Sequence, residues 1–291
     1  MNTLTQKSPL WLIGVLLFLG TVKIIGQDIT GARQLGNENL QSLTQLVYDG
    51  ENTFWGGVFT NSLALGESTL QSLGEEDIII AQVAFNLDSR PFLVGGSERD
   101  DVLTALAVDS DSNMVIAGSF WRSISFTPVD SNPFEFLHFN ENPRALFLCK
   151  VNPKGQLLWH HIFRGGGIKM IDDITINDNG DIAIGGFFRE ELIVDGFELE
   201  KTGLTSGFTA FIRSTGVMEW VDAFGETGDT RVTALAFNTD TTITVTGWYN
   251  DTLSIGENSI AANTNDKDGY IAKYNIGGMV RWAHRAGGVF D

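Results

Sequence analysis

Leu103-Thr-Ala-Leu-Ala-Val-Asp-Ser-Asp-Ser-Asn-Met-Val-Ile-Ala-Gly118-Ser-Phe120 is the stretch that decides the fold. It contains an apolar run, a turn rich in Asp, Ser and Asn, and a second apolar run that ends in Gly-x-aromatic. Short runs rich in Val, Ile and Thr between such turn residues are typical of β-strands joined as a hairpin. The same pattern occurs four times, and each copy ends at a matched glycine: Gly57, Gly118, Gly186 and Gly247.

A second motif, in which Gly stands four residues before Trp, follows in three of the four repeats. It ends at Trp159, Trp220 and Trp282, whereas the first repeat has Arg90-Pro91 and no Trp. No segment after the N-terminus shows a sustained apolar period of 3.6 residues, so each repeat of about sixty residues predicts strands and not helices. In the second repeat the predicted strands are 103–108, 114–120, 145–151 and 157–163, with a short extra run at 123–126.

These repeats predict an all-β fold, a β-propeller, with four antiparallel strands in each blade. One blade cannot bury both of its faces, so the core is expected to lie between neighbouring blades. The repeated Trp side chains are predicted to fill that space. The signature glycines are expected to permit a tight strand end or a bulge. The approximate blades are 37–96, 97–166, 167–226 and 227–288.

Residues 1–27 differ from the rest of the chain. Lys7 precedes the apolar run Leu10 to Val22, a combination typical of a signal peptide. The run is shorter than the roughly 20 residues that a membrane span needs, and an uncleaved anchor is the alternative. The prediction is therefore a secreted or cell-surface protein whose mature part, 28–291, has no membrane span.

Charge and cysteine content argue against a nucleic-acid-binding protein and against a fold held by internal disulfides. The formal net charge is −17, and such an acidic surface repels nucleic acid. Cys149 is the one cysteine, so a secreted chain would have no internal disulfide. Because Cys149 stands in an apolar run, it is expected to be a small buried core residue.

Further short matches recur in phase along the chain, among them Val94-Gly-Gly-Ser97, Leu106-Ala-Val-Asp109, Val245-Thr-Gly247 and Asp268-Gly-Tyr-Ile-Ala-Lys273. Together these stretches resemble the bacterial SBBP-type, seven-bladed β-propeller repeat family. The similarity extends over roughly residues 32–291 and implies a secreted or surface propeller for which the family provides no catalytic residues. Since the chain ends where a fifth repeat would begin, we expect it to be truncated at its C-terminus and to be part of a larger ring.

One turn has the spacing of oxygen ligands in calcium loops. Asp109, Asp111 and Asn113 alternate along the turn of the second repeat, where their side-chain oxygens are able to converge on a hard cation. The same residue types are ordinary in turns between two strands, and no bidentate Glu follows. Both interpretations, a turn and a metal site, are open at this point.

The second repeat also contains an insertion between Pro128 and Arg144. Phe134, Phe136 and Phe139 lie in this insertion and are the candidate contacts to a partner or a sugar ring. The alternative is that these rings pack onto the side of the blade.

Catalytic motifs are missing from the sequence. It contains no His/Cys cluster with metal spacing, no nucleophile elbow, no phosphate loop and no dinucleotide fingerprint. The prediction is a non-enzymatic binding or scaffold module without a cofactor, with a protein or glycan ligand. The alternatives are a carbohydrate-active enzyme (a lyase or glycosidase with paired carboxylates in the central channel) and a calcium-stabilised adhesin.

Overall fold

All regular elements are β-strands in the computed structural model, which describes residues 24–25, 28–29, 39–83, 89–138, 144–239, 241–262 and 267–287. The first two strands, β1 (Ile24–Ile25) and β2 (Asp28–Ile29), form a small antiparallel pair. The predicted signal peptide, 1–27, lies almost entirely outside the described residues.

Four antiparallel units of four strands follow one another along the chain, and each unit lies within one predicted repeat. Sheet 1 contains β3 (Leu40–Tyr48), β4 (Thr53–Phe59), β7 (Asp77–Val83) and β8 (Ser89–Gly96). Sheet 2 contains β9 (Val102–Val108), β10 (Met114–Trp121), β13 (Arg144–Val151) and β14 (Leu157–Phe163). Sheet 3 contains β15 (Lys169–Ile176), β16 (Ile182–Phe188), β19 (Ser206–Ile212) and β20 (Met218–Phe224). Sheet 4 contains β21 (Thr230–Thr239), β22 (Thr242–Tyr249), β25 (Asp268–Asn275) and β26 (Val280–Ala286).

Each repeat also has a two-stranded insert hairpin between its second and third sheet strands. The repeat therefore has six strands, where the sequence predicted four and an extra run in the second repeat. The insert hairpins are β5 (Ser62–Leu65) with β6 (Ser68–Gln71), β11 (Ser123–Pro128) with β12 (Phe134–Leu137), β17 (Glu191–Val194) with β18 (Phe197–Glu200), and β23 (Thr252–Ile255) with β24 (Asn258–Ala261).

The insert hairpin of one repeat lies beside the last strand of the preceding sheet. Strand β11 pairs with β8, which makes a continuous sheet of six strands. A single bridge between Arg164 and Ile193 joins sheet 2 to β17, and the amide of Gly225 donates to the carbonyl of Ser254 in β23. The hairpins of the second, third and fourth repeats thus lie along an edge that would otherwise expose unpaired backbone groups.

The core lies between consecutive sheets, as predicted. The first strands contact each other in chain order, β3 with β9, β9 with β15 and β15 with β21. Three large apolar clusters each draw on two neighbouring sheets, and this arrangement is the one expected of propeller-like repeats. The first cluster includes Ile78 and Phe120, the second includes Val115 and Ile184, and the third includes Phe211 and Val245.

The prediction of a buried cysteine is also confirmed. Cys149 lies in β13 with no exposed surface and has no disulfide partner. Burial raises the pKa of its thiol, so Cys149 behaves as a small apolar side chain of the core.

Two of the repeated Trp side chains bond the last strand of one sheet to a turn of the next, and we call each of these contacts a Trp latch. The Nε1–H of Trp159 donates to the carbonyl of Ser214 at 3.3 Å, and that of Trp220 donates to the carbonyl of Ile276 at 2.8 Å. Both rings pack on a turn glycine with positive φ, Gly216 or Gly278, where a Cβ would lie about 3 Å or less from the ring. The prediction that Trp fills the space between repeats is confirmed for these two positions.

Candidate functional site

A cleft opens between sheets 1 and 2, where the first repeat has no Trp. At this junction Pro128 of β11 packs on the turn glycine Gly155, in the place that the Trp ring takes on Gly216. Beside it remains a cleft of about 460 Å³, within the size range of small-ligand pockets. Arg90 and Pro91, which replace the Trp motif, form part of its wall.

Apolar side chains from both sheets line the inner part of the cleft. Phe54 of β4 and Phe92 of β8 meet edge to face with ring centroids 5.5 Å apart. Met114 of β10 is buried and lines the cleft from the other sheet. The alternation of side chains along a strand puts Phe54 and Phe92 into the junction rather than into solvent.

A chain of polar side chains crosses the wall formed by sheet 1. The Nε–H of Arg90 donates to Oε1 of Gln82 at 2.8 Å, and Nε2 of Gln82 donates to Oδ1 of Asn52 at 2.6 Å. Asn52 belongs to the turn after β3, which Asp49 caps by accepting the amide of Glu51 at 2.9 Å. These hydrogen bonds join four side chains that line the cleft, and each of them limits the freedom of the next.

Hydrogen bonding keeps the Asp49 carboxylate charged. Burial by itself raises the pKa of Asp49, but bonds from Asn52, Glu51 and the Ser112 hydroxyl outweigh it and lower the pKa below its ordinary value. Ser112 belongs to sheet 2, so this carboxylate also ties the two walls together.

The cleft has more acidic than basic groups. Its lining includes four carboxylates, one guanidinium and one ammonium: Asp49, Glu51, Asp111, Asp130, Arg90 and Lys154. An anionic ligand such as a phosphate is disfavoured by this balance, whereas a neutral polar ligand finds both donors and acceptors.

The predicted metal residues form a capped turn beside the cleft. Oδ1 of Asp109 accepts the amides of Asp111 at 2.9 Å and Asn113 at 2.8 Å, and Oδ2 pairs with Nζ of Lys150 at 2.7 Å. Burial raises the pKa of Asp109, but the bonds from Lys150 and Asn113 outweigh it and lower the pKa overall. Oxygens bonded in this way are satisfied without a metal, and Asn177 caps the matching turn of sheet 3 through its own Oδ1.

Calcium binding at Asp109, Asp111 and Asn113 stays a prediction. In the described ranges no three His, Cys, Asp or Glu side chains come together as metal ligands. Of the three residues, Asp111 lines the cleft, which brings it near the polar groups of sheet 1.

The predicted aromatic contacts lie in and beside the insert hairpin of the second repeat. Phe136 is 1% exposed and packs against Phe126, Phe147 and the ring of His160, so its ring has no free surface for a ligand. Phe134 is partly buried and stacks on Phe126 at 5.0 Å. Phe139 lies outside the described residues. Ligand contact by Phe134 and Phe139 stays a prediction, and the same insertion contributes Val129 and Asp130 to the cleft.

A smaller cleft of about 240 Å³ lies between sheets 2 and 3. Here Nδ1 of His161 pairs with Oδ2 of Asp195, which stands in the tight turn of the insert hairpin. The Nε2 atom of His161 is buried, so the imidazole has no nitrogen open to a substrate. This pair therefore serves the packing of the two repeats.

Sequence reasoning did not identify the cleft. The sequence signal is the replacement of the repeated Trp by Arg90-Pro91, and by itself it indicates only a departure from the motif. Only the structure shows that the missing ring leaves an opening and that the turns after β3, β9 and β13 meet there.

No family model matches the chain. The chain is 26% identical over 214 residues to an uncharacterized WD repeat-containing protein of Acanthamoeba polyphaga mimivirus; the match spans 66% of this chain and 15% of that protein. A solved structure of a protein of unknown function from Bacteroides caccae aligns with 72% of this chain and 90% of its own at 11% identity, with a TM-score of 0.26.

The WD repeat-containing relative indicates a protein of the β-propeller repeat type, and the resemblance to the SBBP family stays a prediction. The described residues contain no helix with the length and apolarity needed to cross a membrane.

Proposed function

We propose that this protein is a secreted or cell-surface β-propeller that binds a neutral, hydroxyl-rich ligand, a saccharide, without catalysis. The four sheets would be blades, and the cleft between the first two would be the binding site. The repeated sheets and the WD repeat-containing relative support the propeller. The basic and apolar pattern of the first 27 residues supports secretion.

The observation that carries the proposal is the opening left by the missing Trp. At the next two junctions a Trp ring closes the same space and bonds to the neighbouring turn. At the first junction the space is bounded by polar side chains that are held in a hydrogen-bonded row. A rigid concave surface with fixed polar groups is the usual form of a small-molecule site.

The lining favours a saccharide over other ligand classes. Each sugar hydroxyl both donates and accepts, which matches a wall of amides, carboxylates and a guanidinium. Phe54 and Phe92 offer an apolar surface to the C–H face of a sugar ring. An apolar ligand would leave these polar groups unpaired, at a cost of about 1–3 kcal/mol for each buried group.

A saccharide array tests the proposal with the full chain. Wild-type protein is expected to bind a defined set of glycans. The Arg90→Trp variant, which restores the ring found at the other junctions, is expected to lose that binding at least tenfold while melting at or above the wild-type temperature. Trp282→Ala is the matched control; it changes a motif Trp away from the cleft and should keep the wild-type pattern.

Two outcomes contradict the proposal. One is the absence of saccharide binding by wild-type protein, which would favour a protein ligand. The other is equal binding by wild-type and Arg90→Trp protein, which would place the site elsewhere on the molecule.

A further inference from the structure

Two aspartates are buried together at the other end of the junction between sheets 1 and 2. Asp77 opens β7, and Asp101 immediately precedes β9, with its amide bonded to the carbonyl of Glu76 at 2.8 Å. Both are 0% exposed. The amide of Leu73 donates to Oδ2 of Asp77 at 2.7 Å. Oδ1 of Asp77 and both carboxylate oxygens of Asp101 have no hydrogen-bond donor in bonding geometry among the described residues.

Burial with so few hydrogen bonds is unfavourable for the charged form of both carboxyl groups. Burial raises the pKa of Asp77 to about 6 and that of Asp101 to about 7, and the charge of Asp77 adds to the second shift. The Ser97 hydroxyl and amide and the charge of Arg144 lower the pKa of Asp101, but by less than burial raises it. Arg144 donates to the Ser119 hydroxyl and to the Asp100 carbonyl, not to the Asp101 carboxylate. A buried anion without a partner needs a compensating cation or proton.

The other junctions show what normally occupies these two positions. Ala145 and Ser206 are the counterparts of Asp77, because each pairs with the aromatic residue of the Gly-x-aromatic signature in its sheet. Lys169 and Thr230 are the counterparts of Asp101 at the start of the first strand. A carboxylate stands at both positions in the first junction, whereas the second junction has an alanine with a lysine and the third has two hydroxyl side chains.

The second junction holds a cation at this place. Nζ of the buried Lys169 donates to the carbonyl of Gly165 at 2.8 Å, and Gly165 is the counterpart of Ser97 in the loop that leads to the next sheet. The backbone of this loop therefore accepts a positive charge where the lysine supplies one. In the first junction the Asp101 carboxylate stands at the position of that ammonium group, so an acidic group replaces the cation of the second junction. A cation bound from solution would supply a positive charge there.

We propose that Asp77 and Asp101 bind a calcium ion in the junction between sheets 1 and 2. Calcium prefers carboxylate, carbonyl and water oxygens and tolerates irregular coordination, so two aspartates with the Ser97 loop and water form a suitable ligand set. The two loops that meet here also carry acidic side chains that attract a divalent cation to the surface: Glu75, Glu76, Glu98 and Asp100. This site is separate from the turn at Asp109 and from the cleft.

Thermal melting of the full chain, first in chelator and then with millimolar calcium chloride, tests the site. Calcium is expected to raise the melting temperature of the wild-type protein by about 5 °C, since it binds the folded state alone. Asp101→Asn is expected to abolish the calcium response and to melt in chelator at or above the wild-type temperature, because it removes a buried charge and keeps the shape.

Two further variants make the test independent of one substitution. The double variant Asp77→Ser with Asp101→Thr installs the residues of the third junction, and it should fold and show no calcium response. Asp111→Ala should keep the full response, which separates this site from the Asp109 turn. The proposal is overturned if wild-type protein shows no calcium response, or if Asp101→Asn and the double variant respond as wild type does.

Discussion

The glycine of the Gly-x-aromatic signature is required by a bulge in the neighbouring strand. In sheet 3 the pairing of β15 with β16 shifts between Ile171 and Asp173. The shift brings the carbonyl oxygen of Met170 to 1.9 Å from the point where a Cβ on Gly186 would lie. In sheet 4 a Cβ on Gly247 would likewise lie 1.9 Å from a carbonyl oxygen, that of Arg231. The same backbone contact therefore explains the repeated glycine. The expectation of a bulge at this motif is confirmed.

Replacing this glycine by alanine tests the explanation. Gly186→Ala should lower the free energy of unfolding by about 3 kcal/mol, because the added methyl group clashes with backbone that cannot move alone. Gly277→Ala is the control, since its Cβ would meet nothing closer than Oδ1 of Asn275 at 3.3 Å. Urea unfolding measures the stability of both variants, and equal unfolding midpoints would refute the bulge explanation.

At the scale of the element, the last strand of one sheet contacts a turn of the next sheet. Trp159 and Trp220 each combine an indole hydrogen bond to a turn carbonyl with ring packing on a positive-φ glycine. The residue two positions after each Trp adds a polar contact across the junction: His161 to Asp195 and Asp222 to the Tyr274 hydroxyl. One strand of seven residues therefore fixes the spacing of two sheets.

Removing one Trp latch should cost much of the stability of its junction. Trp220→Ala is expected to lower the free energy of unfolding by about 3 kcal/mol, through lost burial and an unpaired Ile276 carbonyl. Trp282→Ala is the matched control, because Trp282 contacts His284 and Lys273 of its own sheet and is expected to cost less than about 1 kcal/mol. Equal losses of unfolding free energy in the two variants, measured by denaturant unfolding, would contradict the role of Trp220 as a latch.

The elements differ in how far the sequence reveals them. The sheet strands are detectable because each has many Val, Ile and Phe side chains and recurs in phase with the others. Apart from the run at 123–126, the insert hairpins are not detectable, because strands such as Phe197–Glu200 have only four residues, with Phe and Leu alternating with exposed Glu. The hairpins of the last three repeats lie against the preceding sheet, a contact that no local pattern contains. The cleft depends in the same way on the position of Pro128 relative to its neighbouring turn.

At the scale of the whole molecule, the first junction differs from the other two at both of its ends. One end lacks the Trp latch and opens a polar cleft. The other end holds two buried aspartates, and three of their four carboxylate oxygens have no hydrogen-bond donor among the described residues. At the second and third junctions a Trp ring occupies the corresponding place, and a lysine or hydroxyl side chains replace the two aspartates. The first junction therefore combines a cleft of about 460 Å³ with a pair of buried carboxylates.

A crystal structure of the full chain with the saccharide that binds most tightly on the array tests the central claim most directly. The account predicts ligand density between sheets 1 and 2, with sugar hydroxyls bonded to Arg90 and Gln82 and one ring face against Phe92. Density at any other surface, with this cleft filled only by solvent, would contradict the account.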